Sequence, residues 1–119
     1  YAAVVAVGGD GEVAGFASLS PYRTRPGYST TVEDSVYVDA GHRGRGVGRL
    51  LLSEAVGLAQ ASGFHAVMAR ITAPQEPSLA LHRSCRFALV GVEREVGRKF
   101  GRWLDVALMQ RLLVSPGSS

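Results

Sequence analysis

The sequence predicts a mixed α/β (α+β) fold, a mixed sheet flanked by helices, and three observations predict it. Short β-branched runs separated by turn residues fill the first 38 positions. A helical period takes over from 46 to 62, and apolar runs of strand length return after 87. The predicted order is strand, strand, strand, helix, strand, helix, strand, strand. The hairpins at the start disfavour a doubly wound Rossmann arrangement.

Residues 1–7 are almost continuously apolar, and Gly8-Gly9-Asp10-Gly11 tolerates the positive φ of a hairpin turn, which leads to a returning strand at 13–19. Positions 21–31 mix Pro, Gly, Tyr and two arginines without a period and read as a loop whose polar side chains face a ligand. A third strand follows at 31–38, where Val32, Val36 and Val38 are apolar and β-branched. From 46 to 62, Val47, Leu50, Leu51, Ala55 and Leu58 are spaced to cover one helical face, and Gly63 is placed to end the helix. A short strand at 66–71 precedes a short helix at 77–84, whose Pro77 and Ser78 suit a first turn. Strands at 87–96 and 103–113 complete the pattern, and the tail from 115 to 119 is expected to fray.

A chain of 119 residues, 46% hydrophobic, is long enough for one packed core, so 1–119 is read as a single domain. No apolar run approaches the roughly 20 residues that span a bilayer, and the first residues lack a basic leader, so a cytoplasmic protein without a membrane partner is expected. Cys85 is the only cysteine, which excludes an internal disulfide and a multi-thiolate metal site. The net charge of +3 points to nucleic acid or to a polyanionic small molecule. Its distribution favours the second, because Arg43, Arg45 and Arg49 surround a glycine-rich turn and no long basic run exists. Solvated surface arginines are the plainer alternative.

That turn, Arg43-Gly44-Arg45-Gly46-Val47-Gly48, follows a predicted strand and opens a predicted helix. A helix N-terminus presents free backbone N–H groups and the positive end of the dipole, and glycines leave the approach open to an anion. The arginines add permanently charged forks that match phosphate geometry. Ordinary turn chemistry would also use these glycines. The loop lacks the Lys-Ser/Thr of a Walker sequence, and its alternating glycines do not match the dinucleotide fingerprint Gly-x-Gly-x-x-Gly.

What the loop does match is Arg-x-x-Gly-x-Gly, and here it resembles the coenzyme A signature of the GNAT N-acetyltransferases. The run 31–38 (TVEDSVYV), the segment 78–82 (SLALH) and the run 96–106 (VGRKFGRWLDV) are similar to the phosphinothricin and methionine sulfoximine (sulfone) acetyltransferase branch of that family. The resemblance covers essentially the whole chain. It implies a mostly antiparallel acyl-CoA N-acyltransferase sheet that lacks the family's first strand and helices, acetyl-CoA as co-substrate without a metal, a small amino acid-like amine as acceptor, and a homodimer. Gln75 stands where the family commonly has an Asn on the pantetheine arm, Arg86 replaces a Gly, and Leu104 replaces a His of the phosphinothricin enzymes, which tilts the acceptor toward the sulfoximine or sulfone.

The same resemblance distributes roles. Val36, Tyr37 and Val38 pair with the pantetheine arm through their backbone, and Arg43, Gly44, Arg45, Gly46, Val47, Gly48, Arg49 and Gln75 complete the coenzyme site. Glu33 matches the family's strand glutamate, the base for the amine; the alternative is a surface carboxylate paired with Arg23. His82 stands where relatives have a proton-donating tyrosine, and an unperturbed pKa of about 6.5 suits that task; the alternative is a packed or capping histidine. Arg23, Thr24 and Arg25 resemble the segment that holds the acceptor, with an arginine fork for its carboxylate and Glu33, Asp34 and Ser35 flanking its amine. His42 and His65 are expected to be structural or solvent-facing. Cys85 lacks a Cys-His-Asp pattern and reads as a small hydrophobe. Phe100 and Trp103 are expected at the pocket wall or a subunit contact. The alternative within enzymes is an acetyltransferase for another small amine or a peptide N-terminus. Two readings compete from outside: a coenzyme-binding module without catalysis, and a nucleic-acid-binding domain, which the lack of a basic stripe opposes.

Overall fold

The computed structural model describes residues 3–23, 25–72 and 76–113. Thr24, Gln75 and the tail beyond 113 lie outside the described residues. The elements follow the predicted order: β1 (Ala3–Val7), β2 (Val13–Pro21), β3 (Thr31–Val38), α1 (Val47–Ala61), β4 (Ala66–Thr72), α2 (Glu76–Ser84), β5 (Ala88–Lys99) and β6 (Arg102–Leu112). They form one six-stranded sheet in the order β1-β2-β3-β4-β6-β5. Every neighbouring pair is antiparallel except β3 and β4, which the α1 crossover makes parallel.

The parallel pair is short. Only Thr31, Val32 and Glu33 pair with Ala66, Val67 and Met68, although β3 runs on to Val38 and β4 to Thr72. Beyond Glu33 the strands part into a fork, and the backbone of β3 from Asp34 to Val38 faces the gap without β4 as partner. Such a gap needs donors and acceptors from elsewhere.

Both helices pack on the same face of the sheet. The core lies there, where Leu51, Leu52, Val32, Val67 and Met109 are fully buried, each large side chain contributing about 1.5–3 kcal/mol. The buried face of α1 is Leu51, Leu52, Ala55, Val56 and Ala59, turned from the face expected from Val47, Leu50 and Leu58; Leu50 and Leu58 stay exposed. The Leu50-Leu51-Leu52 run makes two faces apolar, and the sheet takes the one whose alanines let the helix approach closely. Gly63 ends α1 as expected, with φ +84° and Phe64 N–H donating to the Ala59 carbonyl at 3.1 Å.

β5 extends to Lys99, past its expected end at 96, because a bulge absorbs the irregular stretch. Between Glu93 and Gly97 the register shifts, Glu95 takes φ 53°, and its N–H donates to Asp105 Oδ1 at 2.9 Å. The hairpin closes on Phe100 and Gly101, both at positive φ, in a two-residue turn between the paired Lys99 and Arg102.

Candidate active site

Along β3 consecutive side chains alternate between the two faces of the sheet. Val32, Asp34, Val36 and Val38 point to the helices, and Glu33, Ser35 and Tyr37 to the opposite face, where the Tyr37 ring stacks on Phe16 at 5.6 Å. The fork exposes both sets to one cavity of about 240 Å3, walled by 33–36 of β3, 69–71 of β4, and Ser78, Leu81 and His82 of α2. That is below the roughly 300–1,000 Å3 of a drug-sized pocket and suits a small head group.

Glu33 is half-buried at the fork, and burial raises its pKa above the ordinary carboxylate value. The positive charge of Arg70 pulls against that, Asp34 adds to the rise, and Arg23 opposes it more weakly. Arg70 in turn pairs with Glu93 of β5 at 2.9 Å. A carboxyl with a raised pKa beside a cavity has the properties of a base.

Asp34 and His82 form the other charged pair of the cavity, both buried. His82 Nε2 lies 3.0 Å from Asp34 Oδ1, and Nδ1 lies 2.9 Å from the Ser78 carbonyl. A carbonyl only accepts, so Nδ1 carries a proton; the pair shares a further proton between Nε2 and Oδ1. Burial lowers the His82 pKa, but the hydrogen bond and charge of Asp34, with the Ser78 carbonyl, outweigh it and the net shift is upward. The ring also meets Phe87 edge-on at 5.0 Å. Both nitrogens are thus occupied within the protein, which favours the packed reading of His82 over a free proton donor.

The glycine loop borders a second cavity, of about 330 Å3. Gly44 and Gly46 take φ +78° and +77°, with no atom near a Cβ added to either. Gly46 precedes the first turn of α1 without any side-chain cap, which leaves the helix amides open. Gly48 serves a different purpose: a Cβ there would stand 3.3 Å from Leu81 and 3.4 Å from Val38, so its absence lets α1 approach α2 and β3. Arg43 and Arg49 line the cavity with Val36, Val38, Val47 and Leu81, while exposed Arg45 does not. Open glycines, uncapped amides and two arginines fit a polyphosphate. Val36, Ser78 and Leu81 line both cavities, so the fork and the glycine loop adjoin and share a wall.

The structure does not gather every predicted residue. Asp34 lines the same cavity as Glu33 and Ser35, but alternation turns its side chain to the opposite face, where it pairs with His82. Arg23 is exposed, folded over the Tyr22 ring at 4.1 Å, and reaches the site only through its field on Glu33. Arg25 is exposed at the start of the 3-10 turn Pro26–Tyr28. Leu104 and Trp103 line a separate groove in the β5–β6 hairpin. His65 is exposed, as expected, and Cys85 is buried. His42 pairs with Asp39 at 3.2 Å and lines the glycine-loop cavity. Two residues that sequence reasoning passed over belong to the site, Arg70 and Ser78. A lone arginine inside the apolar run 66–71 was the signal for the first; nothing marked the second. Among the described residues no group of three or more His, Cys, Asp or Glu side chains is placed to hold a metal, and no helix is long and apolar enough to cross a membrane.

Comparison with known proteins identifies relatives of the whole fold. The chain is 47% identical to the phosphinothricin N-acetyltransferase of Streptomyces coelicolor over 86% of its own length and 60% of the relative's. It is 43% identical to an L-methionine sulfoximine/L-methionine sulfone acetyltransferase of Pseudomonas paraeruginosa over 92% of its length and 64% of the relative's. The chain thus spans less than two thirds of these curated relatives. A crystal structure of a GNAT superfamily phosphinothricin acetyltransferase from Sinorhizobium meliloti, in complex with AcCoA, superposes with a TM-score of 0.92 at 43% identity, over 98% of this chain and 64% of that one. The model of the acetyltransferase (GNAT) family matches residues 2–87. With most of its length matched by that model, the chain belongs to the GNAT acetyltransferase family.

Proposed function

We propose that the protein is an acetyl-CoA-dependent N-acetyltransferase acting on the α-amine of a small amino acid analogue of the methionine sulfoximine, methionine sulfone or phosphinothricin type. The observation behind this reading is that the two cavities adjoin: the glycine-loop cavity shares Val36, Ser78 and Leu81 with the cavity of a fork that has a half-buried carboxylate at its apex. Acetyl-CoA supplies the activated acetyl group. The α1 amides, Arg43 and Arg49 hold its phosphates, and the unpaired edge of β3 from Val36 to Val38 holds the pantetheine arm. Glu33, on the opposite face of the sheet, takes the proton of the amine, directly or through a water, as the amine nitrogen bonds to the acetyl carbon. The C–S bond then breaks and the coenzyme leaves as its thiol, taking up the proton that the amine gave. Ser35 lines the same wall as Glu33. The acceptors named for the two curated relatives support a small amino acid-like substrate.

The β5–β6 hairpin supports a homodimer. β5 is an edge strand, and Phe100 and Trp103 near the hairpin tip are 90% and 59% exposed. Exposed aromatics of this kind are the usual anchors of a protein interface.

The test is thiol release from acetyl-CoA with a panel of amino acid sulfones, sulfoximines and phosphinothricin. Turnover on at least one supports the reading. Tight coenzyme binding with no turnover on any amine contradicts it and leaves a coenzyme-binding module.

A further inference from the structure

Helix α2 forms one wall of both cavities, facing β3 across them. Its seat on α1 is apolar, with Leu81 against Gly48. Arg111 of β6 donates to the Cys85 carbonyl just beyond the helix end at 3.0 Å, and among the described residues the hydrogen bond that ties the body of α2 to the sheet is the one between His82 and Asp34. The side-chain contacts of that bond are buried, 5% exposed for His82 and 3% for Asp34. The second carboxylate oxygen, Asp34 Oδ2, is buried with no partner among the described residues. All the hydrogen bonding of this carboxylate to the described residues is therefore concentrated on one ring nitrogen.

We infer that the buried Asp34–His82 ion pair is a clasp that fixes α2 against β3 and so sets the affinity for the coenzyme, an affinity that falls when the pair loses its shared proton. The inference rests on the coenzyme site proposed above. With the proton in place, an imidazolium donates to a carboxylate across the cavity floor, a charge-assisted bond of roughly twice the strength of a neutral one. Without it, the neutral imidazole has a single N–H for two acceptors, so either the bond to Asp34 or the bond to the Ser78 carbonyl is lost, and the charge-assisted tie of α2 to the sheet weakens. His82 and Asp34 are positioning residues in this account, because the histidine nitrogens are committed to Ser78 and Asp34 rather than to a ligand. The remaining charged groups of the two cavities are Glu33 from β3, Arg70 from β4, His42 and Arg43 before α1, and Arg49 on α1. With the net upward shift of His82, the pair keeps its proton to higher pH than a free imidazole does and releases it as pH rises further.

The experiment measures coenzyme A and acetyl-CoA binding by calorimetry from pH 6 to pH 9 on the native protein and on Asp34→Asn, whose amide can still donate to Nε2 of a neutral histidine. Nitrogen NMR of the His82 ring is read in parallel. The native protein is expected to bind with constant affinity through neutrality and more weakly at alkaline pH, with both ring nitrogens protonated at pH 7. Asp34→Asn is expected to bind about tenfold more weakly at pH 7, the worth of a charged over a neutral hydrogen bond. It should lose the alkaline fall and show Nε2 unprotonated. In turnover the loss falls on the KM for acetyl-CoA rather than on kcat, the opposite of what a proton-donating His82 gives. Equal affinity of folded Asp34→Asn and native protein at pH 7 overturns the clasp, as does an unprotonated Nε2 in the native protein. Should Asp34→Asn not fold, the native pH profile and ring NMR decide alone. Native protein that binds coenzyme with the expected profile but acetylates no amine removes the acetyl-transfer reading and leaves the clasp standing. Native protein that binds no coenzyme overturns both.

Discussion

The guanidinium of Arg70, on β4, reaches Glu93 of β5 at 2.9 Å across the intervening β6, and its charge acts on Glu33 of β3 from the same position. One cation thus sits between a structural acid and the proposed base. For Glu33 the two effects oppose: burial raises its pKa and Arg70 lowers it. Arg70→Ala removes the lowering influence, so Glu33 stays protonated to higher pH. The acid limb of kcat/KM, which reports the free enzyme's base, is expected to move to higher pH, with a greater loss of rate at pH 6 than at pH 8. An unmoved limb means that Glu33 is not the group titrating there.

The arginines of the glycine loop are not equivalent. Arg43 and Arg49 line the cavity and Arg45 does not. A hydrogen bond to a charged group is worth about 1.5–3 kcal/mol, so Arg43→Ala and Arg49→Ala should each weaken coenzyme A binding by about 10- to 100-fold, with a shallower salt dependence. Arg45→Ala should change it by less than about threefold, the scale of a surface charge effect. Calorimetry at two salt concentrations checks this; three equal losses mean that the phosphates sit outside the described cavity.

Arg86 follows α2 at φ 68°, a left-handed conformation in an exposed position. It stands where the family resemblance places a glycine, and the backbone has kept the glycine's geometry. A left-handed residue with a Cβ costs about 1–2 kcal/mol, of which glycine's greater chain entropy returns about 0.5–1. Arg86→Gly should therefore stabilise the protein by about 0.5–1 kcal/mol, a rise of a few degrees in Tm by calorimetry. A lower Tm means that the arginine side chain has a role that offsets its backbone.

Phe100 owes its 90% exposure to a turn that forces it to φ 51° at the hairpin tip. If this hairpin joins two subunits, Phe100→Asp should weaken association by about 2 kcal/mol or more, the scale of an interface anchor, and shift the sedimenting mass toward monomer at micromolar concentration. An unchanged mass places the contact elsewhere or shows that none forms.

The period of the apolar residues made the order of elements and the position of the glycine loop legible, because both are local properties of backbone and burial. Alternation along 31–38 carries the inward direction of Asp34 beside Val32 and Val36, yet the family resemblance groups it with Glu33 and Ser35. Its partner was not legible, since His82 lies 48 residues away and is brought to it only by the crossover and α2. The rotation of α1 depended on which of two apolar faces the sheet would choose. Phe100-Gly101 escaped as a turn because a positive φ at phenylalanine has no local signature. The fork between β3 and β4 is a matter of pairing between strands distant in sequence, so the residues alone gave no sign of it.

The most direct test compares initial rates of native protein and Glu33→Gln with acetyl-CoA and methionine sulfoximine at saturating coenzyme. Because burial raises the folded pKa of Glu33, the fold favours its protonated form, whose stabilisation is present at low pH and is lost as the group ionises with rising pH, so Glu33→Gln should not destabilise the fold at neutral pH. The account predicts coenzyme binding within about twofold of native and kcat lower by about 10²- to 10⁴-fold, the usual worth of a general base. Native and Glu33→Gln proteins acetylating the amine at equal rates would contradict it.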